Sequence, residues 1–290
     1  MDKKLVIIPT YNEKENIADI IQAVFSLPGD FHVLVIDDGS PDGTADIVKG
    51  LMPAADTSES SLRDPSHAQA QSASSGPLEG LESGAPENLP IFGVVGPRVA
   101  RDSGVSPSDI RLHLIERSGK LGLGTAYLTG FKWALEHGYD YVFEMDADFS
   151  HDPKDLLRLY QACSEGGADL AVGSRYCNGV SVVDWPMSRI VMSYFASTYV
   201  RGVLQMKVYD TTAGFVCYSR KVLETMNLDG VRMKGYGFQI EMKYTAWKLG
   251  FKLKEVPIIF TNRQKGTSKM SGGIFGEAFW GVIALRFRRF

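Results

Sequence analysis

Two aspartates two positions apart, Asp146 and Asp148, follow the apolar run from Tyr141 to Met145. In extended backbone both carboxylates project to one side, roughly 7 Å apart at about 3.3 Å rise per residue, so one cation or one diphosphate can bridge them. Hard carboxylate oxygens suit Mg²⁺ or Mn²⁺, and such ions are usually held by one or two carboxylates together with substrate phosphates. The bland reading of an Asp-x-Asp is a loop that happens to be acidic. His151 beside the pair is either a further ligand or a polar group at the helix entry before Asp152-Pro153.

Asp37 and Asp38 close a second apolar stretch, Val33 to Ile36, where carboxylates accept hydrogen bonds from a ribose or a base. The same residues open the run DGSPDG (38–43), a turn that needs no ligand. The glycines of 119–124 lack the closing Gly-Lys-Ser/Thr of a phosphate loop and the acidic partner of a dinucleotide fold, which favours a packing turn into a helix. Arg175, Arg189, Arg263 and Lys269 stand in stretches marked by glycine, proline or serine, with no acidic neighbour four positions away. Singly each is an ordinary solvated charge; as a set they suit phosphate.

The elements that must position these groups alternate. Leu5 to Ile8 is a buried-type strand ended at Pro9, and Ile17, Ile20, Ile21 and Val24 then repeat at helical spacing. Asn12 with Glu15 has the form of a capping box, which puts 11–13 at that helix's start. Strands follow at Val33–Ile36, Arg111–Glu116, Tyr141–Met145 and Leu170–Gly173, with helices at Ala45–Leu51, from Gly124 to about His137, and from Asp152-Pro153. This βα alternation predicts an α/β fold with a mostly parallel sheet, its polar clusters at the carboxyl ends of the strands. The remainder reads as a helix over 190–205, a strand over 214–218, a helix over 237–249 and a strand over 252–260, extending one domain over 1–270. Residues 53 to about 90 are rich in Ala, Ser, Gly, Pro, Glu and Gln without periodicity and read as a disordered insertion, while 91–109 is either a short hairpin or more loop, so the interruption spans about 53–109. The tail, 271–290, carries Ile274, Phe275, Ala278, Phe279, Val282 and Ile283 at helical spacing and ends in Arg286, Arg288 and Arg289. It is an amphipathic helix that either lies on anionic lipid or packs on the core.

Composition narrows the partners. A chain of 290 residues with 44% hydrophobic content and a net charge of −3 can bury a full core and has no basic excess calling for nucleic acid. Cys163, Cys177 and Cys217 show neither an even count nor a zinc spacing, which fits a reducing cytosol. The first apolar run is too short for a signal-peptide core, and no stretch approaches the ~18 apolar residues of a membrane span. The expectation is a cytoplasmic protein, peripheral on the cytoplasmic face of a membrane.

The runs PTYNE (9–13), IDDGSPDG (36–43), LGLGTAY (121–127), MDADFSH (145–151) and GSRY (173–176), with WPMSR (185–189), GFQIE (237–241) and RQKGTSK (263–269), jointly resemble the dolichyl-phosphate mannose synthases. The resemblance covers nearly the whole chain except the insertion. It implies a GT-A fold and a family 2 inverting glycosyltransferase that moves mannose from GDP-mannose to dolichyl or polyprenyl phosphate. It further implies that Pro9, Tyr11, Glu13, Ile36 and Asp38 cradle the guanosine, and that Asp146, Ala147 and Asp148 hold the diphosphate and metal. By the same resemblance Arg175, Arg263 and Lys269 are cations for the donor phosphates, and Arg189 receives the lipid phosphate. Some relatives carry a metal-assisting Gln where this chain has Ser150, a weaker ligand. The nearest alternatives are transfer of glucose or an amino sugar to a polyprenyl phosphate, and a catalytically silent nucleotide-sugar-binding subunit. The resemblance also allows for a separate membrane-anchoring subunit.

Overall fold

The computed structural model describes residues 2–52, 110–233, 235–263, 265 and 274–288, with the side chains of 274–278 excepted. The expected insertion and Lys269 therefore lie outside the described residues.

Four strands rich in Val, Ile and Leu, β1 (Lys4–Thr10), β2 (Phe31–Asp37), β3 (Leu112–Glu116) and β4 (Tyr141–Glu144), are buried almost throughout, as strands covered on both faces must be. Helices α1 (Ile17–Phe25), α2 (Thr44–Leu51), α3 (Leu123–Glu136) and α4 (Asp155–Ser164) provide the cover. The second half adds β5 (Leu170–Ser174), β6 (Val182–Val183), α5 (Met187–Leu204), β7 (Val216–Ser219), α6 (Arg220–Thr225), α7 (Gly235–Lys248), β8 (Leu253–Pro257), β9 (Phe260–Thr261) and α8 (Ile274–Arg286). The seven-stranded sheet has the order β3-β2-β1-β4-β7-β5-β8. The α/β class and mostly parallel sheet expected from the alternation are both present. The exception is β7, which runs antiparallel to β4 and to β5. It therefore begins at the end of the sheet where its two neighbours finish.

Strand order reverses about β1, with β2 and β3 on one side and β4 on the other, and parallel sheets leave a ligand crevice at such a point. One face of the sheet packs on Ile17, Ile20, Ile21, Val24, Leu156 and Leu159, the other on Tyr127, Phe131, Phe238 and Met242. Gly130 lets α3 lie close on β1: an added Cβ would stand 2.7 Å from Ile7 Cδ1. The first helix begins later than the capping-box reading predicts. Asn12 instead adopts a left-handed φ of 56° and its N–H donates to Ser40 Oγ, so residues 12–16 form a turn and Asn16 occupies the cap.

Candidate functional site

At the carboxyl end of β4 the chain turns and delivers both aspartates beside the segment that follows β1. Asp148 Oδ1 accepts the N–H of Ser150 at 3.1 Å, and its Oδ2 accepts Nε of Arg263 at 3.0 Å. Nη1 of the same guanidinium lies 3.1 Å from Glu13 Oε1. One arginine thus ties together the loop after β1, the loop after β4 and the segment after β9. Burial first and the adjacent Asp148 second push the Asp146 carboxyl well above the usual carboxylate range. Burial acts the same way on Asp148, but hydrogen bonding from Ser150 and the charge of Arg263 outweigh it and leave that group lowered. The charge on each carboxylate opposes that on the other, and a further cation beside them would relieve this.

The end of β2 forms the neighbouring wall. Asp37 is spent on structure: Oδ1 accepts from Thr10 Oγ1 at 2.8 Å, and Oδ2 accepts the Ser40 N–H at 2.8 Å, fixing the turn. Asp38 is held by Arg117, whose Nε donates to Oδ1 at 2.6 Å while its Nη2 donates to the Gly122 carbonyl. Burial raises the Asp38 pKa despite this partner. Arg117 thereby docks the 119–124 turn on the end of β2, and Lys120 Nζ comes to lie 5.1 Å from the centre of the Tyr11 ring. Of the glycines in this run Gly124 packs closely, an added Cβ standing 2.9 Å from the Phe238 ring, while Gly119 and Gly122 border open space. Ile36 is fully buried with its side chain against α3, so a nucleotide could meet only its main chain.

A third group of residues comes from the ends of β5 and β7. Arg175 follows β5, and its guanidinium makes a two-pronged pair with Asp210, Nε to Oδ2 and Nη2 to Oδ1, both at 2.6 Å. Both side chains are buried, and Asp210 titrates low because Arg175 outweighs the cost of its burial. The Trp185 ring contacts two arginines, with the Arg189 guanidinium 3.9 Å and that of Arg175 5.5 Å from its centre. Arg189, in the first turn of α5, also donates to Asn262 Oδ1 at 3.2 Å. Tyr236, at the start of α7, lies partly buried near these groups, and burial raises its pKa.

The structure therefore brings Tyr11, Glu13, Asp38, Asp146, Asp148, Arg175, Arg189 and Arg263 to one end of the sheet, with Pro9 near the end of β1 and Ala147 in the turn after β4. His151 is buried against Phe215 and Phe260, and burial lowers its pKa to about 4, so it packs as a neutral core ring. Arg117, Asp210, Tyr236 and Asn262 were not singled out by sequence reasoning. The only signal for Asp210 was polarity just before an apolar run, because its partnership with Arg175 depends on the reversed direction of β7.

Asp146 and Asp148 fit a divalent ion: both offer hard oxygens, and the buried Ser150 stands beside Asp148. Among the described residues no three His, Cys, Asp or Glu side chains form a group that could hold a metal ion.

The model for glycosyl transferase family 2 matches residues 5–63 and 100–226. A polyprenol monophosphomannose synthase of Mycolicibacterium smegmatis is 40% identical over 285 residues, an alignment spanning 97% of this chain and 87% of that one. An undecaprenyl-phosphate mannosyltransferase of Micrococcus luteus is 38% identical over 97% of this chain and 94% of its own length. Among solved structures, glucosyl-3-phosphoglycerate synthase of Mycobacterium tuberculosis in complex with Mn²⁺, UDP-glucose and phosphoglyceric acid has a TM-score of 0.59 at 15% identity, covering 98% of this chain and 80% of that chain. The last likeness is one of fold.

Proposed function

Because this chain belongs to glycosyl transferase family 2, we propose that it transfers mannose from GDP-mannose to a polyprenyl phosphate, with inversion at the sugar's anomeric carbon. The sugar and the acceptor class are those in the names of the two relatives at 40% and 38% identity. The observation that carries the reading is Arg263 bound at once to Glu13 and Asp148, which sets a cation where a donor diphosphate would meet both loops.

In this reading Pro9, Tyr11, Glu13, the Ile36 main chain and Asp38 cradle the guanosine, with Lys120 over Tyr11. Mg²⁺ or Mn²⁺ held by Asp146 and Asp148, beside the Ala147 main chain, would offset the charge of the diphosphate as GDP leaves. Arg263 moves from its two carboxylates to the diphosphate when the donor binds, and Lys269 joins it there. Arg189 receives the acceptor phosphate. That monoester is already largely ionised, its second pKa being about 6, so its oxygen attacks without a strong general base and position supplies most of the catalysis. Arg175, already engaged by Asp210, serves the site as a fixed positive wall. Displacement in line with the leaving GDP inverts the anomeric centre.

A lipid acceptor requires access to a bilayer, and the surface has a candidate face for it. On α5, Met187, Val191, Met192, Tyr194 and Phe195 are exposed, and on α8 Phe279 and Trp280 are exposed while Val282 and Leu285 pack inward against Val200, Leu204 and Ile240. The last helix is thus core-packed on one side and apolar on the other. No helix among the described residues is long and apolar enough to cross a membrane, so the face is proposed to lie on the cytoplasmic surface of one.

Incubation with Mn²⁺ or Mg²⁺, a short polyprenyl phosphate and a panel of nucleotide sugars tests the reading. Turnover of GDP-mannose is expected. Transfer from UDP-glucose alone would reassign the sugar, and donor binding without transfer would leave a silent binding subunit. Flotation on anionic liposomes is expected to weaken when Phe195 and Trp280 are replaced by serine; equal partitioning would remove the membrane face.

A further inference from the structure

Beneath the cations lies a short segment, 209–213, that forms no helix or strand, yet Asp210 and Thr211 within it have no exposed surface. It is pinned from two sides. From the core, Lys243 of α7, itself fully buried, points its ammonium at main-chain carbonyls: Nζ donates to Ala213 O at 2.6 Å, to Gln239 O at 3.0 Å and to Thr211 O at 3.3 Å. From the sheet edge, the Glu255 carboxylate of β8 accepts the N–H of Tyr209 at 2.8 Å and of Asp210 at 2.9 Å. A buried lysine whose donors go mainly to backbone is an expensive arrangement, since burial opposes its charge. Here the two charged groups of opposite sign fix carbonyls and N–H groups of a single segment.

The consequence appears one step further out. The fixed segment presents Asp210, whose two oxygens set the plane of the Arg175 guanidinium, and Thr212 Oγ1 accepts from the same guanidinium at 3.0 Å. Arg175 faces Trp185, and Trp185 carries Arg189 on its other contact. No step between Lys243 and Arg189 passes through a long flexible side chain with a free end. We infer that Lys243 and Glu255 are positioning residues for the acceptor phosphate: by clamping 209–213 they hold Asp210, and through Arg175 and Trp185 they set where Arg189 stands. This rests on the proposed role of Arg189 toward a polyprenyl phosphate. Neither residue touches the reacting atoms.

The inference weights acceptor over donor: Arg263, Asp148 and Glu13 hold the donor side by contacts of their own, and Arg175, whose charge also reaches Asp146, is the one clamped group the two sides share. Glu255→Ala, on a partly exposed edge strand, and Lys243→Met, in the core, would be assayed in the full chain with GDP-mannose and a short polyprenyl phosphate. The expected result is a rise of about tenfold in the acceptor KM with a clearly smaller rise in the GDP-mannose KM, since small displacements of a positioning group are costly. Glu255→Gln, which keeps one strong acceptor, should recover part of the loss. Should Lys243→Met fail to fold, Glu255→Ala carries the test alone. An unchanged acceptor KM in folded Glu255→Ala, or an equal rise in both KM values, overturns the clamp while leaving mannosyl transfer intact. Absence of transfer in the wild type overturns the mannosyl reading and the clamp with it.

Discussion

At the carboxyl ends of the strands, Asp38, Asp148 and Asp210 are each held by an arginine, whereas at the amino ends His32, His113 and Tyr139 hold one another as neutral partners. The amino-end cluster continues through Trp133, whose ring stacks on His137 at 3.8 Å and lies 4.8 Å from that of His113. Both ends bury polar groups, but with opposite economy. Neutral rings that stack and share hydrogen bonds add packing and little electrostatic cost, while paired charges near a crevice keep strong fields that a ligand can take over. The difference teaches where function and stability separate: changes at the carboxyl end should alter turnover with the fold retained, and changes at the amino end should do the reverse.

The largest effect expected from breaking this contrast is that of Asp148→Asn, which removes one of two proposed metal-holding charges from a partly exposed loop. Turnover with GDP-mannose should fall by about 10³-fold or more while the melting temperature stays close to wild type, as circular dichroism can show. Unchanged turnover would remove the metal assignment.

Acid should act at the opposite end. Burial, reinforced by His32 and His137, lowers the His113 pKa to about 4. Asp30 and Arg111 flank the cluster through His32 and Phe31. The unfolded chain takes up the histidine proton near pH 6.5 and the folded chain does not, so the stability from neutral His113 is whole above that value. It declines as pH falls towards about 4, by about 3 kcal/mol in all, and is flat below. Denaturant midpoints of wild type and His113→Gln should converge as pH falls through that window, and a difference that stays constant would refute the assignment.

Arg189→Ala sharpens the contrast within the carboxyl end. It should lower kcat/KM for the polyprenyl phosphate by about 30-fold with little change in GDP-mannose binding, because one charge-assisted phosphate contact is lost. An equal loss for the donor would move Arg189 out of the acceptor site. The smallest effect expected is that of Gly130→Ala, where the new methyl meets Ile7 in the core between the two ends. It should cost about 1 to 2 kcal/mol in urea denaturation with turnover retained.

The α/β class was legible because apolar runs and helical spacing are local properties, and the carboxylates at strand ends were legible because they follow those runs directly. The glycine turn could be assigned by what it lacked. Other features depended on direction or distance. Nothing in the residues before Val216 reveals that β7 enters the sheet backwards, so the pairing of Asp210 with Arg175 and the clamp below it stayed hidden. Arg117 reads as the first charge after a strand, and only the fold shows that it spans from Asp38 to Gly122. The capping-box reading of Asn12 failed for a related reason: its N–H is captured by Ser40 of another loop, a tertiary bond that moves the helix start to Ile17.

The central claim is that carboxylates and cations from separate loops converge on one diphosphate through a divalent ion. Titration of Mn²⁺ into the protein, followed by electron paramagnetic resonance with and without GDP, tests it most directly. The account predicts tight binding of about one Mn²⁺ per chain that needs GDP and is lost in Asp148→Asn. GDP binding of equal strength with and without Mn²⁺, unchanged by that substitution, would contradict it.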